Sequence, residues 1–235
     1  LAERRLDPLD VASLLAARLV GGGAKGDAAL RDAVAEITRA VRRHALAHGL
    51  LASLGVGRAV TTNYDELYEY ARGGARMPVA VLPYARPVAD DAWLLKLHGD
   101  VGHLDDIVLT RQDFLRYAAD RNALTGVVHA LLLTQHLLFV GYSLSDPNFH
   151  RTVDEVRQAL ARAGEGVPAP FGTVLVAESP APAVRDLWGQ DLEVVVPGDD
   201  PCGSTASAFR RHDLWLDALA MWASGFDAHI ASASN

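Results

Sequence analysis

The chain has 235 residues, half of them apolar, and a formal net charge of −7. A chain of this length can bury roughly 70–75% of its unfolded surface, which predicts one large globular α/β domain. The negative charge argues against direct binding of nucleic acid, and no apolar run reaches the roughly 18 residues of a membrane span, so we expect no membrane partner.

Cys202 is the only cysteine in the sequence. A single cysteine excludes an internal disulfide and a four-cysteine zinc site within this chain. It is also typical of a reducing compartment, and the first residues do not resemble a signal peptide. We therefore expect a cytoplasmic protein that holds no metal ion.

Residues 1–56 predict a helical segment that packs on, or is inserted in, the domain that follows. An amphipathic helix is expected over Asp10–Val20, and the glycine run at 21–23 is interpreted as a joint. A second helix is expected after it, with Asp27 as its N-cap. The buried face of that helix is predicted to consist of Leu30, Val34, Ile37 and Val41.

Residues 57–235 predict an α/β domain, because short apolar runs alternate there with helical patterns. This alternation is typical of a three-layer, Rossmann-like fold with a mostly parallel sheet and helices on both faces. The predicted strands are Ala59–Thr62, Val79–Leu82, Trp93–Leu97, Ile107–Thr110, Leu137–Gly141, Thr173–Ala177 and Leu192–Val196. The predicted helices are Glu66–Arg72, Arg111–Ala119, Leu124–Thr134, Phe149–Ala163, Ala183–Trp188 and Ala206–Ser224.

Three of these strands end in polar clusters, at residues 61–65, 96–100 and 141–149. In an open parallel sheet, ligands bind outside the carboxyl ends of the strands, where the crossover loops meet. Each cluster also has a purely structural explanation. Asn63 or Asp65 would cap the next helix, His98 would be a structural histidine in a turn, and Ser145 or Asp146 would cap the helix near Pro147.

The clusters read TTNYD, KLHGD and FVGYSLSDPNF, and in this order they resemble motifs of the sirtuin family. The resemblance extends in particular to the sirtuin-like NAD-hydrolysing domains of bacterial anti-phage defence proteins. Thr62 stands where sirtuins have Gln, Tyr64 replaces Ile, and Tyr142 replaces the Thr of the Gly-Thr-Ser segment. The resemblance covers roughly Arg58 to the C-terminus.

The resemblance implies how the first two clusters would treat NAD⁺ as substrate. Asn63 would hold the nicotinamide ribose or the attacking water, and Thr62 would lie near the same ribose. Asp65 would bind the nicotinamide carboxamide, and His98 would be the general base. Such a set suits cleavage of a glycosidic bond, which needs a clamp on the leaving group, oriented polar groups and a base.

The third cluster is implied to bind the other half of the dinucleotide. Gly141 and Ser143 would lie against the adenosine ribose and the phosphates, with Tyr142 between them as a further NAD-binding residue. A glycine at this position would let the backbone approach the nucleotide closely.

The sequence departs from the sirtuin pattern in two ways. Sirtuins open with a strand and a glycine-rich loop that cradles the pyrophosphate, whereas the glycine run at 21–23 follows a predicted helix. The first βα unit therefore either lies upstream of Leu1 or has been lost. Deacetylating sirtuins also carry a zinc module with two cysteine pairs, so its absence argues against lysine deacetylation.

These features favour an NAD⁺ glycohydrolase that acts as the effector of a bacterial defence system. Unregulated NAD⁺ loss would be toxic, so we expect control by a partner domain or by homo-oligomerisation. Two alternatives stay open: transfer of ADP-ribose or deacylation of protein lysine, and a non-catalytic module that senses NAD⁺ or ADP-ribose.

Overall fold

The structure is a computed structural model, and it describes residues 6–19, 23–89, 91–162, 170–198 and 204–224. These residues form two compact units, one up to Leu124 and the other from Thr125 onward. Two features discussed above lie outside the described residues: glycines 21 and 22, and Cys202.

The first unit begins with three helices and continues with a small sheet. The helices are α1 (Pro8–Arg18), α2 (Gly23–Ala40) and α3 (Leu46–Ser53). They are followed by β1 (Arg58–Thr61), α4 (Leu67–Gly74), β2 (Ala80–Leu82), β3 (Trp93–Lys96), a short 3₁₀ helix (Leu104–Asp106) and α5 (Arg111–Asp120).

The second unit repeats the alternation of strands and helices. Helix α6 (Asn122–Thr134) leads into it from the first unit. The remaining elements are β4 (Leu137–Val140), α7 (Pro147–Arg162), β5 (Gly172–Leu175), α8 (Pro182–Trp188), β6 (Leu192–Val195) and α9 (Thr205–Ala223). No helix in the described part of the chain is both long enough and apolar enough to cross a membrane.

Every strand pair in the described residues is parallel. The first sheet has the order β1-β3-β2, and the second has the order β4-β5-β6. Central strand β3 is the most buried of its sheet, with Leu94 and Leu95 both inaccessible to solvent. Parallel strands flanked by helices, after a helical N-terminal segment, confirm the predicted three-layer, Rossmann-like α/β class.

One predicted strand is wrong. Residues Ile107–Thr110 form an extended connection into α5 instead of a ladder strand. Ile107 and Val108 are apolar because they are buried. The Val108 amide donates a hydrogen bond to the His98 carbonyl oxygen at 2.9 Å, so this segment lines the turn after β3.

The expected buried face of the second helix is only partly right: Leu30 is buried and Val34 half-buried, but the other two members are exposed. Helix α2 begins at Gly23, so Asp27 lies inside it and is not its N-cap. Ile37 and Val41 are 72% and 53% exposed. Besides Leu30, the helix packs through the small residues Gly26 and Ala35. A Cβ added to Gly26 would lie 1.9 Å from the carbonyl oxygen of Ala16 in α1, so glycine permits this close approach.

Candidate functional site

The first polar cluster follows β1 and is held by short-range hydrogen bonds. The Asn63 amide donates to Thr61 Oγ1 at 3.0 Å, and the Asn63 side chain is exposed. Burial raises the pKa of Tyr64 to about 12, so its phenol stays protonated and donates to the Val108 carbonyl oxygen at 2.7 Å. The loop that carries Asn63 is thereby anchored on both sides.

Asp65 has two structural contacts within this first cluster. Its Oδ1 accepts a hydrogen bond from the Leu67 amide at 2.9 Å, at the start of α4. The N-cap of α4 is Glu66, without a side-chain cap bond, so neither Asn63 nor Asp65 is the N-cap; Asp65 instead accepts from the first amide of the helix. The Asp65 carbonyl oxygen accepts a hydrogen bond from Lys96 Nζ at 2.6 Å.

The second polar cluster follows β3 and contains His98. This side chain is only 7% exposed. Its ring packs edge-on against Phe114 and Tyr117 of α5, with centroid distances of 5.2 and 5.6 Å. Helix α5 thus orients the imidazole and screens it from bulk water.

Gly99 allows the sharp turn that follows His98. Its φ is +96°, and a Cβ there would lie 2.4 Å from the Asp106 carbonyl oxygen. Only glycine fits this position without a shift of the backbone. The next residue, Asp100, is buried, and its Oδ1 accepts a hydrogen bond from the Gly102 amide at 2.6 Å.

The structure brings the first two clusters together. The Val101 amide donates to the Tyr64 carbonyl oxygen at 3.0 Å. Lys96 Nζ, at the end of β3, lies 2.6 Å from Glu69 Oε1 and forms a short hydrogen bond with Asp100. The ends of two neighbouring strands are therefore joined through both backbone and side-chain contacts, as expected for parallel strands in one sheet.

Charge and burial oppose each other at this junction. Burial lowers the pKa of Lys96, but the hydrogen bonds with Asp100 and Glu69 outweigh it, so the net pKa is raised. Burial raises the pKa of Glu69, and the hydrogen bond with Lys96 opposes that rise. The ammonium group therefore stays charged and compensates the buried Asp100 carboxylate and the half-buried Glu69 carboxylate.

A cavity of about 420 Å³ opens beside the first cluster. Asp65 is the only predicted site residue that lines it, so Asn63, Thr62 and His98 are not among its walls. The other lining residues are Thr38, Arg39, Val41, Arg42, Glu66, Tyr70 and Val101.

The contribution of α2 to this cavity was not predicted from the sequence. Arg39 lines it and donates a hydrogen bond to the Val101 carbonyl oxygen, and Arg42 lines it from the residues after the helix. The signal in the sequence that could have indicated this contribution is the cluster of arginines at positions 39, 42 and 43, at the C-terminal end of α2. The cavity therefore combines cationic and anionic walls and can receive a polar ligand.

The third polar cluster belongs to the second unit and follows β4. Gly141 has a φ of +64°, and both it and Ser143 are exposed. The Ser143 and Ser145 hydroxyls lie 2.6 Å apart in a hydrogen bond. Tyr142 is half-buried, with its ring 5.3 Å from that of Phe149.

The start of α7 holds this third loop in place. Asp146 Oδ1 accepts a hydrogen bond from the Asn148 amide at 2.9 Å, which confirms the expected capping role near Pro147. The Leu144 carbonyl oxygen lies 2.7 Å from His150 Nε2. Leu144 itself is buried with a φ of +56°, so its side chain anchors a strained turn.

Comparison with known proteins decides the family. Residues 57–195 match the family model of the SIR2-like domain. This chain belongs to the SIR2-like domain family. The matched part of the SIR2-like domain begins one residue before β1 and ends with the last residue of β6, so it contains all three polar clusters.

Three curated proteins illustrate the similarity of this SIR2-like domain to known enzymes. The chain is 34% identical over 119 residues to "NAD(+) hydrolase ThsA" of Enterococcus faecium, covering 48% of the chain and 25% of that protein. It is 32% identical over 120 residues to the protein of the same name from Bacillus cereus (strain MSX-D12), covering 49% and 25%. It is 26% identical over 117 residues to "Defense-associated sirtuin 2" of Bacillus subtilis, covering 47% and 12%.

The part of each relative that aligns with this chain is therefore a quarter or less of that relative's length. The predicted relation to sirtuin-like proteins of bacterial defence is confirmed at the level of the family and its named relatives. The roles of Asn63, Thr62, Asp65, His98, Gly141, Tyr142 and Ser143 stay predictions. Among the described residues, no group of three or more His, Cys, Asp or Glu side chains is arranged to hold a metal ion.

Proposed function

We propose that this chain is the catalytic domain of an NAD⁺ glycohydrolase, which converts NAD⁺ and water into nicotinamide and ADP-ribose. The observation that carries the proposal is the junction of the first two polar clusters, in a chain whose SIR2-like relatives include proteins named NAD(+) hydrolase. Asp65 and His98 stand at the ends of neighbouring strands β1 and β3, where a ligand of a parallel sheet is expected.

The cavity beside Asp65 supports the proposal, because it offers space for the nicotinamide leaving group. Its walls supply hydrogen-bond donors and acceptors, and nicotinamide offers a carboxamide that uses both. The bond between the Asp65 carboxylate and the Leu67 amide limits rotation of the side chain, so the clamp is pre-oriented.

The reaction breaks the bond between ribose C1′ and the nicotinamide nitrogen. The electron pair of that bond stays with the pyridine ring, which leaves as neutral nicotinamide. The oxygen of a water bonds to C1′ and gives up one proton. In the proposal Asn63 holds that water or the ribose hydroxyls, and His98 accepts the proton, a contribution typically of about 10²–10⁴ in rate.

The enclosed position of His98 supports this role. Two aromatic rings of α5 orient the imidazole, and its low exposure excludes competing bulk water. A general base acts best when it is fixed at hydrogen-bond distance from the proton that it removes.

We further propose that the activity serves bacterial anti-phage defence by depleting NAD⁺ in the cytoplasm. One relative carries the name defense-associated sirtuin. Because constant NAD⁺ loss would kill the host cell, the proposal includes control by homo-oligomerisation or by a partner domain.

The direct test is to incubate the purified full-length protein with NAD⁺ and to measure nicotinamide and ADP-ribose by chromatography. We expect equal amounts of both products without any acceptor present. His98→Gln and Asn63→Ala are expected to reduce turnover by about 10²-fold or more. The matched controls are His136→Gln and Asn122→Ala, since both residues are exposed and lie outside the proposed site.

Absence of turnover in every oligomeric fraction, or equal turnover by the site and control variants, would overturn the proposal. Product that forms only with an acylated peptide or an acceptor protein would indicate deacylation or transfer instead. Tight binding of intact NAD⁺ in calorimetry, without product, would indicate a sensing module.

A further inference from the structure

We propose that Lys96 is a positioning residue, which holds the first two polar clusters in one fixed geometry so that Asp65 and His98 act on the same NAD⁺ molecule. The inference rests on the proposed function and adds to it a residue that touches neither substrate nor general base. Lys96 ends β3, the central strand of its sheet, and its side chain is fully buried.

The Lys96 ammonium group contacts three different segments. It donates hydrogen bonds to the Asp65 carbonyl oxygen and to the Asp100 carboxylate after the glycine turn, and these two bonds link the clusters. Its Nζ also lies 2.6 Å from Glu69 Oε1 in α4, as an ion pair. The neighbouring positions Leu94 and Leu95 are apolar, so a charge at the end of this strand is a local exception.

Stability alone is a poor explanation for a buried lysine. Removing a charge from water costs several kcal/mol, and buried ion pairs often contribute little net stability compared with apolar residues of the same volume. What the ammonium group does supply is geometry. It connects the backbone of Asp65, the proposed nicotinamide clamp, with the side chain of Asp100, which lies two residues after the proposed base His98.

Loss of the Lys96 charge would also create repulsion. The Glu69 and Asp100 carboxylates both face the position of Nζ, and proximity to Asp100 contributes to the raised pKa of Glu69. Without the cation, the two carboxylates would separate or take up protons. Only backbone bonds, from the Leu97 amide to the Thr61 carbonyl oxygen and from the Val101 amide to the Tyr64 carbonyl oxygen, would then join the cluster ends directly.

The first test compares Lys96→Met with Glu69→Gln in steady-state NAD⁺ hydrolysis by the full-length protein. Lys96→Met keeps an unbranched side chain one atom shorter and removes the two bonds that link the clusters, to the Asp65 carbonyl oxygen and to the Asp100 carboxylate. Glu69→Gln removes one charged partner of Lys96 and leaves its bonds to Asp65 and Asp100 in place. We expect Lys96→Met to lower kcat/KM by about 10²-fold and to weaken inhibition by added nicotinamide, with Glu69→Gln within about threefold of the unmodified protein.

Two further variants separate positioning from folding. Lys96→Arg, which retains charge and donors, is expected to recover part of the lost kcat/KM and of the nicotinamide inhibition. Asp100→Asn replaces Lys96→Met if the latter does not fold, because Asn still accepts the bond from the Gly102 amide. The inference would be overturned if Lys96→Met, or Asp100→Asn in its place, had the same kcat/KM and the same nicotinamide inhibition as Glu69→Gln.

The second test needs no turnover. Amide hydrogen exchange at Val101 reports directly on its bond to the Tyr64 carbonyl oxygen, one of the backbone bonds between the two clusters. We expect exchange about tenfold faster or more in Lys96→Met than in Glu69→Gln, because the clusters separate more often. Equal exchange would overturn the inference even if NAD⁺ is hydrolysed, whereas an inactive unmodified protein would overturn only the proposed function.

Discussion

The imidazole of His98 packs edge-on against the ring of Phe114, with the centroids 5.2 Å apart and the planes at 70°. Phe114→Ala removes this aromatic contact. We expect kcat for NAD⁺ hydrolysis to fall about tenfold with a smaller change in KM, because the proposed base loses its fixed orientation. Steady-state kinetics measures both constants. The matched control is the adjacent Leu115→Ala, since Leu115 is 79% exposed; a similar kcat in the two variants would show that the ring does not orient His98.

The two roles of Asp65 can be separated by substitution. Asp65→Asn keeps an oxygen that accepts from the Leu67 amide, whereas Asp65→Ala loses it. We expect both variants to raise KM for NAD⁺ and to weaken nicotinamide inhibition. Only Asp65→Ala should also lower the free energy of unfolding, by about 1 kcal/mol, because the start of α4 loses its side-chain acceptor.

Asp91 provides a control for the Asp65 variants. Its carboxylate accepts a hydrogen bond from the Val88 amide at 3.0 Å, in a similar local turn on the surface. Asp91→Asn and Asp91→Ala should leave KM and nicotinamide inhibition unchanged. A rise of KM in the Asp91 variants equal to that in the Asp65 variants would contradict a specific role for Asp65.

Two glycine substitutions are expected to have opposite effects on stability. Gly99→Ala should lower the free energy of unfolding by several kcal/mol, since the added Cβ meets the Asp106 carbonyl oxygen and φ is positive. Gly126→Ala, inside α6 and without any atom within 4 Å of the added Cβ, should raise it by about 0.5–1 kcal/mol. Chemical denaturation measures both changes, and a neutral Gly99→Ala would contradict the close approach after His98.

His212 in α9 should make stability depend on pH. Burial lowers the pKa of His212 below its ordinary value of 6.5, and nearby Asp213 opposes this in part. The unfolded chain therefore binds the proton more readily, so the stability contributed by neutral His212 is present above pH 6.5 and is lost as pH falls through the lower folded pKa.

His212→Gln should reduce this loss of stability below pH 6.5. Thermal unfolding between pH 7.5 and pH 5 would measure the effect as a smaller decrease in melting temperature than in the unmodified protein. The same decrease in both proteins would show that His212 does not titrate on unfolding in this range.

Much of the fold could be predicted because apolar periodicity reports burial directly. The predicted strands around Val60, Leu94 and Val174 lie within one or two residues of β1, β3 and β5. Ile107–Thr110 was mistaken for a strand because burial alone makes a segment apolar, whether or not it pairs in a sheet. Ile37 and Val41 were assigned to a buried face because helical spacing does not reveal which face meets a neighbour.

The residue types of the candidate site, and the edge of the sheet at which they lie, could be predicted from the sequence. Polar clusters after strands, in the order found in sirtuins, marked Asn63, Asp65 and His98 from sequence alone. The contributions of Arg39 and Lys96 were not visible in the same way. Arg39 lies in α2, outside the part of the chain that resembles sirtuins, and Lys96 appeared only as a polar residue within KLHGD.

The sequence by itself determined the α/β class, the positions of the three polar clusters and the family, because these depend on local pattern and on residue identity. Only the tertiary structure decided that Lys96 is buried against Asp65, Glu69 and Asp100, that α5 encloses His98, and that α2 supplies walls of the cavity. Those features join residues that are far apart in the chain. Their energies come from burial and charge compensation in three dimensions, which no local pattern encodes.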